Sequence, residues 1–184
     1  DDEILQKYKA KEKIDAEGKP IYPGFYDAHA HLFDEAELMD QVDLNGADSF
    51  EEVIQRVKNY RQKNPDKTWL IGGGWDQNRW KDKAFPTKDL LDKAFPDIPV
   101  YLMRVDYHAA VANSKALEWA KLTSIPSIRG GVVGGTNNMP NGLLIDNAMD
   151  LVNKTIPVPN EKEYLSMIKR TQDSLLSVGL TSIV

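Results

Sequence analysis

The chain has 184 residues, 41% hydrophobic and 28% charged, which is enough for one domain with a sizeable core. Its 23 basic and 28 acidic residues leave a net charge of −5, and no Lys/Arg cluster is dense enough for a phosphate backbone, so no nucleic-acid partner is expected. The absence of cysteine excludes disulfides, Cys-based zinc sites, iron–sulfur clusters and thiol nucleophiles, and no apolar run approaches the roughly 20 residues of a membrane span.

A Cys-free chain suits cytoplasm and periplasm alike, so the compartment stays open. The first residue is Asp1, so a leader could have been removed. Residues 1–13 are polar and helix-prone, with Ile4, Leu5 and Tyr8 as the apolar face and Lys7, Lys9, Lys11 and Lys13 on a solvated one. Gly18-Lys19-Pro20 signals a turn, and residues 21–26 approach as a short strand broken by Pro23-Gly24. Ser49 caps a helix with Glu52 three residues on. Its buried stripe is Phe50, Val53, Ile54 and Val57, and it ends before Asn64-Pro65.

A short strand over residues 69–72 runs into a glycine triplet. Pro86-Thr87 opens a helix carrying Leu90, Leu91 and Ala94. Residues 99–105 form the strongest strand, and Asn113-Ser114 caps a helix with Ala116, Leu117, Trp119 and Ala120. Residues 124–140, rich in Ser, Gly, Asn and Pro, suggest a long surface loop. Asn160 and Glu163 make a second capping box, followed by Tyr164, Ile168, Thr171 and Leu175 on one helical face. Gly179 stops that helix, and residues 180–184 read as a buried strand, half of a βαβ unit. A chain that stops inside such a strand is expected to be an excised piece.

His29 and His31 are two of three histidines. In a strand, residues i and i+2 point to one side, so two imidazoles would converge on a divalent ion. Taken alone, His-x-His is more often two surface histidines near a turn. The preceding Pro-Gly turn, the aromatic strand and Asp27 favour ligation. A hydrolytic zinc needs at least three protein ligands plus water. His108 and the carboxylates of Asp27, Asp34, Asp76 and Asp106 are the further candidates. Gly72-Gly73-Gly74 lacks the Gly-Lys-Ser/Thr of a phosphate cradle. Two readings remain for it: a turn that aims Trp75 and Asp76 at a pocket, or a tight turn with Trp75 in the core. Asp106 and His108 follow a strand and share a side by the period of two. They either bind substrate or form a salt-bridged cap of the helix at Asn113.

Residues 22–32, Tyr-Pro-Gly-Phe-Tyr-Asp-Ala-His-Ala-His-Leu, resemble the segment that opens the barrel of the amidohydrolase superfamily. Residues 72–78, 106–117, 141–148 and 179–184 resemble, in order, one branch of it, amidohydrolase family 3 or the YtcJ-like proteins. The resemblance implies an α/β fold: part of a (β/α)8 barrel with a large α/β insertion. Residues 1–34 would hold the linker and first barrel strand, residues 35–178 the insertion, and residues 179–184 the start of the second barrel strand. It implies His29 and His31 as metal ligands, with zinc the favoured ion. The family's bridging carboxylate or carbamylated lysine, two later histidines and general-base aspartate are absent, so this piece alone should lack a complete site.

The favoured function is metal-assisted hydrolysis of a C–N, amide-like bond in a small-molecule substrate. Asp76 and His108 are the catalytic candidates, and Trp75 and Asp106 the substrate-binding ones. The competing readings are a non-catalytic small-molecule-binding module on the same fold and a structural α/β domain. Substrate identity and oligomeric state stay open.

Overall fold

A computed structural model describes residues 2–184. The elements run α1 (Asp2–Lys7), β1 (Phe25–Asp27), α2 (Leu32–Met39), β2 (Val42–Asp43), α3 (Phe50–Lys63), β3 (Leu70–Trp75), α4 (Lys88–Ala94) and β4 (Val100–Arg104). They continue with β5 (Ala109–Ala112), α5 (Ser114–Trp119), β6 (Gly131–Thr136), β7 (Met139–Asp146), α6 (Asp150–Asn153), α7 (Glu161–Ser177) and β8 (Leu180–Ile183). The side chain of Leu5 lies outside the described residues. Its expected partners on the apolar face, Ile4 and Tyr8, are exposed.

Two compact units divide the chain: Asp1–Ala30 with Ser174–Val184, and His31–Asp173. In the first, β1 and β8 form a two-stranded parallel sheet, with Phe25 opposite Leu180, Tyr26 opposite Ser182 and Asp27 opposite Ile183. The strands are parallel neighbours, not a closed barrel. Gly24 is needed beside them, because a Cβ there would stand 2.1 Å from Thr181 Oγ1.

The second unit holds a six-stranded sheet in the order β2-β3-β4-β5-β7-β6. β2, β3 and β4 are parallel, and the remaining pairings are antiparallel. Alternation along the strands sorts side chains onto two faces. Leu70, Val100 and Leu102 join the stripe of α3 and Leu91 of α4 in one core cluster. Trp69 and Tyr101 point the other way and pack with Ala116, Leu117 and Val152 of α5 and α6.

The caps form where local sequence places them. Ser49 Oγ accepts from Glu52 N at 3.1 Å, while Glu52 Oε2 accepts from Asp48 N at 2.9 Å. Asn160 and Glu163 bond reciprocally at 3.1 and 2.7 Å. Asn113, fully buried, accepts from Ala116 N and Val100 N and donates to the carbonyls of Phe95 and Ile98.

Two expectations are corrected. The glycine triplet is no turn: β3 runs through it to Trp75, with a register shift between Gly73 and Trp75. A Cβ at Gly72 would stand 2.8 Å from Val42 O, so the close approach of β2 requires glycine. Residues 124–140 are not all loop either. β6 and β7 form a hairpin with Thr136 opposite Met139. Its two turn residues, Asn137 and Asn138, take positive φ of 51° and 60°, the backbone of a type I′ turn.

Candidate functional site

β1 ends at Asp27, and both histidines follow it. Asp27 Oδ1 accepts from His29 N at 3.0 Å, and Ala30 N donates to Val184 O at 2.9 Å. In the second unit, His31 takes the N-cap position of α2, with φ −114° and ψ 72°. Its Nδ1 lies 3.2 Å from Asp34 Oδ2, one turn along the helix. The period-two argument that put both rings on one side of a strand therefore loses its basis, because neither residue is in a strand. Imidazole and carboxylate are the donor types a divalent ion takes, so the residues of this segment suit a metal. Among the described residues, no group of three or more His, Cys, Asp or Glu is arranged to hold one.

The parallel strands β3 and β4 end together, with Trp75 opposite Arg104. Arg104 gathers this edge. Its Nη2 donates to Asp76 Oδ1 at 3.2 Å and its Nε to Gln77 Oε1 at 2.8 Å, while Nη1 contacts the carboxylate of Asp106. Asp76 also turns the chain, accepting from Asn78 N and Nδ2, each at 3.0 Å. Asp106 Oδ1 accepts from His108 N at 3.1 Å. The His108 ring is exposed, with Nδ1 2.8 Å from Asp146 Oδ1 at the end of β7. Asp106 and His108 sit in the β4–β5 turn, where Tyr107 has φ 60°, so strand alternation does not relate them. Helix α5 is capped by the Asn113 side chain, which accepts from Ala116 N, and not by His108.

Asp76, Asp106 and His108 are thus linked through one guanidinium and one turn. Trp75 goes inward. It is fully buried, its Nε1–H donates to Leu102 O at 2.8 Å, and its ring lies 5.9 Å from Trp80 and 6.3 Å from Phe85. Of the two readings for the triplet, core placement of Trp75 is the one the structure shows. Sequence reasoning missed Arg104, Gln77 and Asp146. Arg104, the only cation at the end of the strongest strand and two residues before Asp106, was the available signal.

A family model described as amidohydrolase family matches residues 12–184. The Bacillus subtilis protein YtcJ is 38% identical over 166 residues, covering 88% of this chain and 31% of that protein. N-substituted formamide deformylase of Arthrobacter pascens is 27% identical over 180 residues, covering 94% of this chain and 33% of that enzyme. The crystal structure of an uncharacterized metal-dependent hydrolase from Pyrococcus horikoshii superposes with a TM-score of 0.65 at 34% identity, over 88% of this chain and 30% of that one. The chain therefore spans about a third of the length of the relatives it matches. Among the described residues, no helix is long and apolar enough to cross a membrane.

Proposed function

Because the chain belongs to the amidohydrolase family, we propose that it forms part of a metal-dependent hydrolase that cleaves an amide-like C–N bond of a small molecule with activated water. The observation that carries this is Asp27-Ala28-His29-Ala30-His31, which begins at the last residue of β1 and lies inside the family match. His29 and His31 would contribute neutral imidazoles to a divalent ion, zinc for preference. Bound there, such an ion supplies Lewis acidity and a water of lowered pKa. The remaining ligands and the general base would come from the part of the relatives' length that this chain does not span.

β1 and β8 are read as the first and second strands of a (β/α)8 barrel, and residues 35–178 as an insertion. Within the insertion, Arg104 holds Asp76 and Asp106 in fixed positions, and His108 presents an exposed ring beside them. That arrangement supports a role for Asp76, Asp106 and His108 in contacting substrate. Trp75, being buried, would shape this edge from beneath. The relative that acts on N-substituted formamides makes an N-substituted formamide the first compound to try.

The test uses the protein at the full length of its relatives. Metal content by plasma mass spectrometry should give about one or two divalent ions per chain. Changing His29 and His31 together to Ala should abolish both the metal and formamide hydrolysis with the circular dichroism spectrum retained. Full activity in the double variant overturns the assignment, and full-length protein that binds substrate without metal or turnover is a binding module.

A further inference from the structure

The face of the six-stranded sheet that carries Trp69, Ile71, Tyr101 and Met103 bounds a cavity of about 580 Å³, closed on another side by α7. That volume lies within the range of small-molecule pockets. None of its lining residues is Asp76, Asp106 or His108, nor His29 or His31. Among the described residues, three buried polar atoms have no hydrogen-bond partner: Gln41 Oε1, Trp69 Nε1 and Tyr101 OH. All three belong to residues lining this one cavity. Orphaned buried polar groups are rare and costly, so three on one cavity need a cause.

The charged lining residues are already engaged. Asp40 pairs with Lys67 and, at 2.5 Å, with Arg170. Glu37 accepts from Tyr164 OH at 2.5 Å, and Glu163 from Asn160 N at 2.7 Å. Both cations pair with Asp40, whereas Glu37 and Glu163 meet only neutral donors, so the lining is net negative and disfavours an anionic ligand. What remains unpaired is two donors, an indole N–H and a phenol O–H, and one amide oxygen. Burial raises the Tyr101 phenol well above its usual range, against a hydrogen-bonding influence of the Asn153 side chain that lowers it, so it keeps the proton it would donate. Aromatic rings and the prolines Pro157 and Pro159 make up much of the rest of the wall.

We propose that this cavity is a binding site for a small neutral amide with an aromatic body. The ligand carbonyl serves the orphaned donors, Trp69 Nε1–H and Tyr101 O–H, and its N–H serves Gln41 Oε1. The three atoms are shielded from solvent, so binding requires side-chain rotations that turn them toward the cavity, and the Trp69 indole N–H reports them.

The test is a titration of the full chain with phenylacetamide, followed by the indole ¹⁵N–H resonances and assigned with Trp69→Phe. The expected result is a saturable shift of the Trp69 resonance, with phenylacetate binding more weakly. Tyr101→Phe should keep or raise the urea midpoint, because it deletes an unpartnered hydroxyl, yet weaken phenylacetamide by about five-fold, the worth of one neutral hydrogen bond. Gln41→Leu should weaken it similarly. No saturable shift, equal binding of phenylacetate, or unchanged affinity in both variants overturns the proposal.

Discussion

Arg104 Nη2 stands 3.2 Å from Asp76 Oδ1, although 28 positions separate them in the chain. The parallel pairing of β3 with β4 makes the contact, and the Arg104 side chain, 15% exposed, holds two aspartates and Gln77 at once. Changing Arg104 to Ala leaves those carboxylates facing each other without a cation. The expected loss is about 2 kcal/mol in urea unfolding. Arg104→Lys keeps the charge but not the planar fork, and should recover only part of it. A midpoint equal to the parent's in Arg104→Ala would show that the cluster contributes nothing to the fold.

Asn113 ties three segments together from a fully buried position. Asn113→Ala orphans Val100 N–H and the carbonyls of Phe95 and Ile98 and removes the α5 cap. The cost should reach about 3 kcal/mol. Asn113→Asp retains both acceptor bonds but turns a carboxylate toward two carbonyls, so it should not rescue stability. Thermal unfolding of both variants decides this.

Gly72→Ala should push β2 away from β3, since the new Cβ would meet Val42 O at 2.8 Å. Backbone must move to relieve that contact. Faster hydrogen exchange at Leu44 N–H, which donates to Gly73 O at 2.9 Å, is the local readout. Exchange unchanged from the parent would mean the strands tolerate a side chain there.

Glu52 is held below its usual carboxyl value of 4.5, first by the bond from Asp48 N and then by that from Arg56. A folded pKa below the unfolded one contributes stability above pH 4.5, lost as pH falls through the folded value. Acid titration of stability should therefore be shallower in Glu52→Gln than in the parent below that pH. Identical acid limbs would remove Glu52 from the capping box as a titrating group.

Tyr60 behaves in the opposite sense. Burial, with the charge of Asp40, pushes its phenol up to about 12, and its hydroxyl donates to Asp40 O at 2.5 Å. The neutral form is favoured in the fold, so this contribution is whole below pH 10 and declines as pH rises toward 12. In a phenolate absorbance titration, Tyr60→Phe should remove a late-titrating component. Loss of an ordinary component near pH 10 would contradict it.

Several features were legible in the amino-acid order because their physics spans only a few residues. A capping box joins positions three apart, and the helical stripes of α3 and α7 repeat every three or four. Ser49, Asn113 and Asn160 accordingly cap where expected. The family resemblance was equally legible, since it rests on short motifs kept in order. The Asn137-Asn138 hairpin was also written locally, but composition masked it: the same polar residues that make a type I′ turn describe a loop.

Strand register belongs to the tertiary structure alone. Which residues meet across β3 and β4 depends on alignment of segments some 30 positions apart, and a shift of one residue would reverse every side chain. That alignment sent Trp75 into the core and placed Arg104 between Asp76 and Asp106, while the register of β2 on β3 required glycine at Gly72. It also set Trp69 and Tyr101 on one face, each with a polar atom that no part of the described fold satisfies. The sequence by itself determined the metal-ligand chemistry open to His29 and His31, because imidazole is a ligand wherever it lies. Only the fold decided that both follow the strand instead of ending it, since β1 pairs with β8 no further than Asp27 opposite Ile183.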